Sequence, residues 1–201
     1  MLINYYGGFL MKHLSKLLLI CTLIATAVLG GCGKKDPGTP PDVLIDGTAV
    51  VVGEMKPADL EDKGFETDAS EKLISALPER SWTSSIYLRK DGVSYARLTL
   101  VNESTDDKRV SQCMIEELCF YSLDKKGSNE LNISINGVNP IGMTQDELKN
   151  AYPDLELDDA DSDYLFHYLR NGDYTVRFEY ANGVLKEIEI KHSFPKSYQE
   201  K

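Results

Sequence analysis

The sequence predicts an α+β fold of two tandem repeats, each a short helix followed by a three-stranded antiparallel meander, with the helices on one face of the sheet. Residues 54–61 align with residues 142–149, and both segments have the polar start of a short helix. Residues 96–100 align in the same way with residues 176–180, and both alternate between apolar and polar side chains as half-buried strands do. Asp-Gly or Asn-Gly pairs separate the strands, and such pairs favour two-residue hairpins.

This alignment places repeat 1 at residues 43–125 and repeat 2 at residues 126–201. Each repeat then has three predicted strands after its helix. The strands are residues 84–89, 94–101 and 109–121 in repeat 1, and 164–169, 174–181 and 184–191 in repeat 2. A further strand is predicted at residues 131–135, and a small extra helix at residues 70–77.

Alternation assigns the strand residues to two faces of the sheet. The side chains expected to point towards the helices are Ile86, Leu88, Ala96, Leu98, Leu100, Phe166, Tyr168, Val176, Phe178 and Tyr180. If the two meanders join, the other face is open to solvent, as antiparallel sheets allow. It then carries a candidate protein-binding surface made of Tyr87, Arg89, Tyr95, Arg97, His167, Arg177 and Glu179. Aromatic and arginine side chains are enriched in binding hot spots, but the same residue types also form cross-strand pairs that only stabilise a sheet.

An N-terminal leader precedes the repeats. Residues 11–16 are basic, and residues 17–29 are almost entirely apolar but too short for a helix that crosses a hydrocarbon core of ~30 Å. This order is typical of a secretory signal, so we place a signal peptide at residues 1–31, with Met11 as the true start. The segment ends in Leu29-Gly30-Gly31-Cys32, which resembles the lipobox of bacterial lipoproteins.

The lipobox resemblance implies that the chain is exported and cleaved before Cys32, whose thiol then carries a covalent lipid. Two acyl chains anchor a protein stably where a single chain does not. Residues 32–42 are rich in glycine and proline and predict a tether between the lipid and the domain. The predicted location is the outer face of the cell membrane, or the outer membrane if the cell has one.

The start of the second predicted helix carries a motif. Gly142, Met143, Thr144, Glu147 and Leu148, followed by Tyr152-Pro153, resemble the opening of the beta-lactamase-inhibitor-protein-like superfamily, which includes small outer-membrane-assembly lipoproteins. The resemblance covers roughly residues 45–193 and implies tandem helix-and-meander copies. Members with a known role grip another protein through the sheet face or its loops. No inhibitory contact residue carries over to this chain, so beta-lactamase inhibition is not implied.

The charge balance restricts the partners. The whole chain has a formal net charge of −10, and residues 1–31 hold two lysines and no acid, so the remainder carries −12. An acidic surface repels phosphate backbones and anionic headgroups, which argues against nucleic acid and against peripheral lipid binding. It attracts basic partners, although acidity is also a common route to solubility.

The sequence contains no catalytic constellation, so we predict that the protein is not an enzyme and needs no cofactor besides the covalent lipid. His167 and His192 have no cysteine or histidine nearby at the spacing of metal ligands. Cys113 and Cys119 lie six residues apart, about 20 Å on one straight strand, whereas a disulfide requires Cα atoms within about 7 Å. We expect both to be buried small apolar side chains unless the strand breaks between them.

An acidic run is the one segment with metal-binding character: Asp154, Glu156, Asp158, Asp159, Asp161 and Asp163. Its alternating aspartates resemble the first half of a calcium loop, but Tyr164 replaces the glycine and Arg170 replaces the final glutamate. We therefore predict a solvated loop and no metal site. The leading interpretation is a non-catalytic, membrane-anchored module that binds an envelope or extracellular protein. The alternative is a lipoprotein sensor for a small ligand or calcium.

Overall fold

The computed structural model describes residues 36–69, 76–124, 131–158, 164–194 and 197–200. From Pro37 onwards these residues belong to one compact unit. The predicted signal peptide and Cys32 lie outside the described residues, as do Asp159, Asp161 and Asp163 of the acidic run. Within the described ranges, no helix is both long and apolar enough to cross a membrane.

Strands are the main secondary structure of the described chain. In chain order the strands are β1 (Val43–Ile45), β2 (Thr48–Ala49), β3 (Glu66–Thr67), β4 (Ala76–Leu77), β5 (Ser81–Lys90), β6 (Val93–Asn102), β7 (Lys108–Arg109), β8 (Met114–Phe120), β9 (Ile133–Ile135), β10 (Glu156–Asp158), β11 (Tyr164–Asn171), β12 (Tyr174–Ala181), β13 (Val184–His192) and β14 (Gln199–Glu200). These ranges also hold two short α-helices, α1 (Pro57–Glu61) and α2 (Gln145–Ala151), and a 3-10 turn at Val110–Gln112.

Nine strands form one large sheet in the order β10-β11-β12-β13-β8-β6-β5-β14, with β3 also paired to β5. Two sets of three strands, β5-β6-β8 and β11-β12-β13, supply its centre. They join where β8 pairs antiparallel with β13, from Phe120 opposite Ile188 to Glu117 opposite Lys191. All pairings in this sheet are antiparallel except the parallel pairing of β14 with β5.

A second layer covers one face of the large sheet. It contains both helices and a three-stranded sheet in the order β2-β1-β9. Ile45, Leu60 and Leu148 of this layer are fully buried in one core cluster with Leu98 and Phe178 of the large sheet. Because burial of apolar surface is the main favourable term in folding, this shared core holds the two layers together.

The predicted α+β fold class is wrong. The helices are only five and seven residues long, and the molecule is mostly β rather than two helix-and-meander repeats. Local stop signals end both helices early. Gly64, at φ +86°, allows the amide of Phe65 to donate to the carbonyl of Leu60 at 3.1 Å, which closes α1. Pro153 follows α2 and disfavours helical backbone at the residue before it.

Two further element predictions are also wrong. The extra helix predicted at residues 70–77 is contradicted where the chain is described, because Ala76–Leu77 forms β4 and pairs with β7. The single strand predicted at residues 109–121 is broken by the 3-10 turn at Val110–Gln112, and β8 begins only at Met114.

The remaining predicted strands are confirmed, most of them with shifted ends. Two of the predicted hairpin turns are confirmed as well. Asp91-Gly92 and Asn182-Gly183 both have positive φ at both positions, as a type I′ turn requires. The third hairpin turns one residue later than predicted. Asn171 pairs with Tyr174, so the turn residues are Gly172 and Asp173.

Thr144 caps α2. Its Oγ1 accepts a hydrogen bond from the amide of Glu147 at 3.3 Å, and the carboxylate of Glu147 accepts one from the amide of Thr144 at 2.8 Å. This reciprocal pair satisfies two amides that have no partner inside the helix.

Residues 37–42, predicted as part of the tether, lie against the domain. The amide of Asp173 donates to the carbonyl of Pro37 at 2.8 Å, and the amide of Asp42 donates to Asn136 Oδ1 at 2.9 Å. A Cβ added to Gly172 would lie 2.3 Å from backbone atoms of Pro37, so only glycine allows this close approach. This segment therefore packs against the domain rather than standing away from it.

Candidate functional site

One row of side chains crosses the face of the large sheet that the second layer leaves open. Its neighbours are direct strand partners, which project to the same side of a sheet. In spatial order the row is Tyr87, Arg97, Cys119, Glu189, Arg177 and Tyr168. We call these residues the central row. All are half-buried except Cys119, which is fully buried beneath its neighbours.

Arg177 organises the β12–β13 half of the central row. Its Nη2 lies 2.7 Å from Glu187 Oε1, 3.0 Å from Glu189 Oε2 and 4.0 Å from Glu179 Oε2. The guanidinium also lies over the ring of Phe166, with Cζ 5.5 Å from the centroid. Burial raises the pKa of Glu189 and of Glu179, and the charge of Arg177 opposes both shifts.

Arg97 takes the corresponding place in the β5-β6-β8 half, with less acidic surroundings. Its Nη2 lies 3.6 Å from Cys119 Sγ, and its Cζ lies 6.0 Å from the ring centroid of Tyr121. Tyr121 meets Tyr87 edge to face, with centroids 6.4 Å apart. Among the described residues, no carboxylate oxygen lies within the 4.0 Å of an ion pair from Arg97.

The open face also holds Arg89 and Glu179, two further residues of the predicted binding surface. Arg89 is exposed, and its Cζ lies 5.6 Å from the ring centroid of Tyr87. Glu179 lies opposite Phe166 and next to the Arg177 cluster. Arg89 therefore extends the central row at its β5 end, and Glu179 widens it at its β12 end.

Two residues predicted for the open face lie on the core side instead. His167 is fully buried, with Nε2 3.3 Å from Gln145 Oε1 of α2 and its ring 5.7 Å from that of Tyr180. Burial lowers the pKa of His167, and its neutral form suits this position. Tyr95 meets the core residue Phe65 edge to face, with centroids 6.4 Å apart. Neither side chain belongs to the candidate site.

The opposite error concerns Phe166 and Tyr168, which were predicted to face the helices and lie on the open face. A two-residue turn connects β11 to β12, so each odd-numbered residue pairs with an even-numbered one. His167 thus lies opposite the core residue Phe178, and Tyr168 lies opposite Arg177. A shift of one residue moves every side chain of a strand to the other face.

A groove of about 710 Å³ opens where the C-terminal segment crosses the open face. The parallel pairing of β14 with β5 holds that segment in place. Trp82, Phe194 and Tyr198 supply aromatic walls, and four charged residues also line the groove: Glu116 and Glu117 of β8, Arg97 of β6 and Lys191 of β13. Sequence reasoning missed this groove because its walls come from distant parts of the chain.

The two cysteines of the domain are free and fully buried, as predicted. Burial raises the pKa of Cys113 to about 11 and that of Cys119 to about 12. Since the thiolate is the reactive form of cysteine, neither thiol is a nucleophile at neutral pH.

The acidic run is described only in part. Glu156 and Asp158 belong to the exposed edge strand β10, and Glu156 forms an ion pair with Arg170. Across the described ranges, no group of three or more histidine, cysteine, aspartate or glutamate side chains is placed to hold a metal ion.

Comparison of the chain with family models, with curated proteins and with solved structures found no match. The resemblances to bacterial lipoproteins and to the beta-lactamase-inhibitor-protein-like superfamily therefore stay predictions. The central row and the groove are the features from which a function can be argued.

Proposed function

We propose that this chain is a lipid-anchored envelope protein that binds another protein through the open face of its large sheet. The observation that carries the binding role is the central row. Its tyrosines and arginines stay half-buried on a face that the second layer leaves open. Large aromatic and arginine side chains supply most of the binding energy in protein interfaces.

The β5-β6-β8 half of the row is the better place for a partner. Arg177 already pairs its Nη2 with Glu187 and Glu189, so a partner would have to compete with these ion pairs. Arg97 has a thiol and a tyrosine ring beside it and no carboxylate at ion-pair distance in the described chain. A partner carboxylate or carbonyl can therefore bind Arg97 without breaking an internal pair.

Crosslinking in intact cells that express the full chain tests the binding role. The site variant is Arg89→Ala with Arg97→Ala, and the control is Lys63→Ala with Lys149→Ala. The control also removes two positive charges, but from exposed positions outside the large sheet. We expect the parent and the control to capture the same partner and the site variant to lose it. Equal capture by all three proteins would show that this face is not the binding surface.

The anchor has a separate test. We expect Cys32→Ala to abolish incorporation of labelled palmitate and to move the protein from the detergent phase to the aqueous phase in detergent partition. The lipid is proposed on this cysteine alone, so Cys113→Ala is the control and should keep both properties. Palmitate labelling that survives Cys32→Ala would refute the anchor without bearing on the sheet face.

A further inference from the structure

The groove on the open face holds two neighbouring carboxylates in different situations. Glu117 lies 3.4 Å from Lys191 Nζ and accepts a hydrogen bond from Thr99 Oγ1 at 3.4 Å. Glu116 is only 8% exposed, and no lysine, arginine or histidine of the described chain lies within ion-pair distance of it. Burying a carboxylate without a cation is costly, so such a position requires an explanation.

A β-bulge places Glu116 in the groove. Thr99 of β6 pairs with Glu117 and Leu100 pairs with Ile115, which leaves Glu116 as the extra residue of β8. Bulges turn a side chain away from its regular direction, and they are frequent next to functional sites. Leu118 of β8 faces the core. Without the bulge, regular alternation along β8 would place Glu116 on that same side.

The charges around Glu116 do not neutralise it. Lys191 of β13 acts on it from a distance and is already paired with Glu117, while Glu117 and Glu103 add negative charge. The backbone amide of Phe194 also favours the charged form of Glu116 and so opposes the rise in its pKa. Burial, the largest effect, raises the pKa of Glu116 to about 7. Such a carboxylate gains more from a cation than one exposed to water.

We propose that this groove binds a positively charged side chain of a partner protein, whose cationic end pairs with Glu116 while its alkyl stem lies against the aromatic walls. The proposal rests on the proposed protein-binding role and names the chemistry of the partner. Lysine and arginine pack their stems on apolar surface and direct the charge to an acid. The net charge of −12 outside residues 1–31 favours basic partners over longer distances.

The groove contains its own reporter, because Trp82 is the only tryptophan of the chain. The experiment is a titration of Trp82 fluorescence in the detergent-solubilised full chain. The probe is the capped tripeptide Gly-Lys-Gly. One control is the same peptide with norleucine, which lacks the charge, and the other is ammonium chloride, which lacks the alkyl stem. We expect a saturable response to the lysine peptide and weaker responses to both controls.

Two variants separate Glu116 from the rest of the groove. Glu116→Gln keeps the shape and is expected to weaken binding of the lysine peptide about tenfold or more at about pH 8. Glu117→Gln removes the neighbouring carboxylate and is expected to have a much smaller effect, because Glu117 is already paired with Lys191. Binding by the parent should weaken as Glu116 is protonated below about pH 7, whereas binding by Glu116→Gln should not change over this range.

Several outcomes would overturn the proposal. These are an equal response to lysine and norleucine peptides, an equal response to the ammonium ion, and equal effects of the two glutamine variants. Arg97, which the crosslinking variant removes, also lines the groove. The titration keeps Arg97 and changes only Glu116 or Glu117, so its result is read separately from the crosslinking result. If crosslinking succeeds and the groove does not bind lysine, the sheet face remains the binding surface and only the groove assignment fails.

Discussion

Arg177 is surrounded by more negative charge than it can neutralise. Glu187 and Glu189 both lie within 3.0 Å of its Nη2, and Glu179 lies 4.0 Å away. Without Arg177 these carboxylates would repel one another on adjacent strands, and like charges opposite each other destabilise a sheet. We infer that Arg177 stabilises the fold, whereas Arg97 is the arginine available to a partner.

Replacing Arg177 by methionine, which keeps most of the stem, should lower the free energy of unfolding by about 1–3 kcal/mol. Arg170→Met is the matched control, because Arg170 also pairs with a glutamate and also lies over an aromatic ring. The side chain of Arg170 is 46% exposed against 25% for Arg177, so its loss should cost about 0–1 kcal/mol. Urea denaturation measures both values, and equal losses would contradict the role assigned to Arg177.

Glu116 makes the free energy of unfolding fall as the pH rises, which is unusual for a carboxylate. Its pKa is raised from 4.5 to about 7, so between these values the folded chain keeps a proton that the unfolded chain releases. The contribution of Glu116 to stability therefore falls as the pH rises through this window, and the loss is complete above about pH 7. Glu116→Gln should thus stabilise the protein by about 1–3 kcal/mol at about pH 8 and change little near pH 4.5. Denaturation at a series of pH values tests this, and a difference that is independent of pH would refute it.

At the scale of elements, the positions of the hairpin turns were more predictable from the sequence than the faces to which the strand side chains point. Alternation assigned the core residues of β5 and β6 to the correct face only because a β-bulge shifts the pairing of the two strands by one residue. Arg89 pairs with Ser94 and Leu88 pairs with Ala96, so Tyr95 is an extra residue. No bulge lies between β11 and β12, and there alternation assigned the β11 side chains to the wrong face. Bulges depend on packing against neighbouring elements, so residue patterns alone do not reveal them.

The turn between β11 and β12 offers a test of its contact with the N-terminal segment. Gly172→Ala should displace residues 37–38, because the new Cβ would lie 2.3 Å from the backbone of Pro37. Gly183→Ala is the control, since Gly183 also has positive φ in a hairpin turn but has nothing within 4 Å of its added Cβ. Hydrogen exchange at the amide of Asp173, which donates to Pro37, should increase in the first variant only. Unchanged exchange in Gly172→Ala would exclude this contact.

At the scale of the whole molecule, the two sets of three strands share one core. Leu118 of β8 and Ile190 of β13 are direct partners across their junction, and both belong to the common buried cluster. The pairing of β1 with β9 adds a second connection between the early and late parts of the chain. Of these strands, β8, β9 and β13 were predicted from the sequence and β1 was not. The helices were overestimated, because good start signals do not show how soon a helix ends.

This shared core predicts a single cooperative unfolding transition. Scanning calorimetry should give one peak, with a calorimetric enthalpy close to the van't Hoff enthalpy. Weakening the junction with Ile190→Ala should lower the midpoint of that one peak without splitting it, because the cluster extends through both halves. Two separate peaks, in the parent or in the variant, would mean that the halves fold independently.

The early contact at Pro37 changes the reach of the proposed anchor. If Cys32 carries the lipid, at most four residues (33–36) separate it from the chain that contacts the domain at Pro37. Four residues span at most about 14 Å even when fully extended, against about 35 Å for ten. A partner in the same membrane would therefore meet the open face at high effective concentration, so a weak intrinsic affinity would suffice for binding. A partner far from the membrane surface would gain nothing from this arrangement.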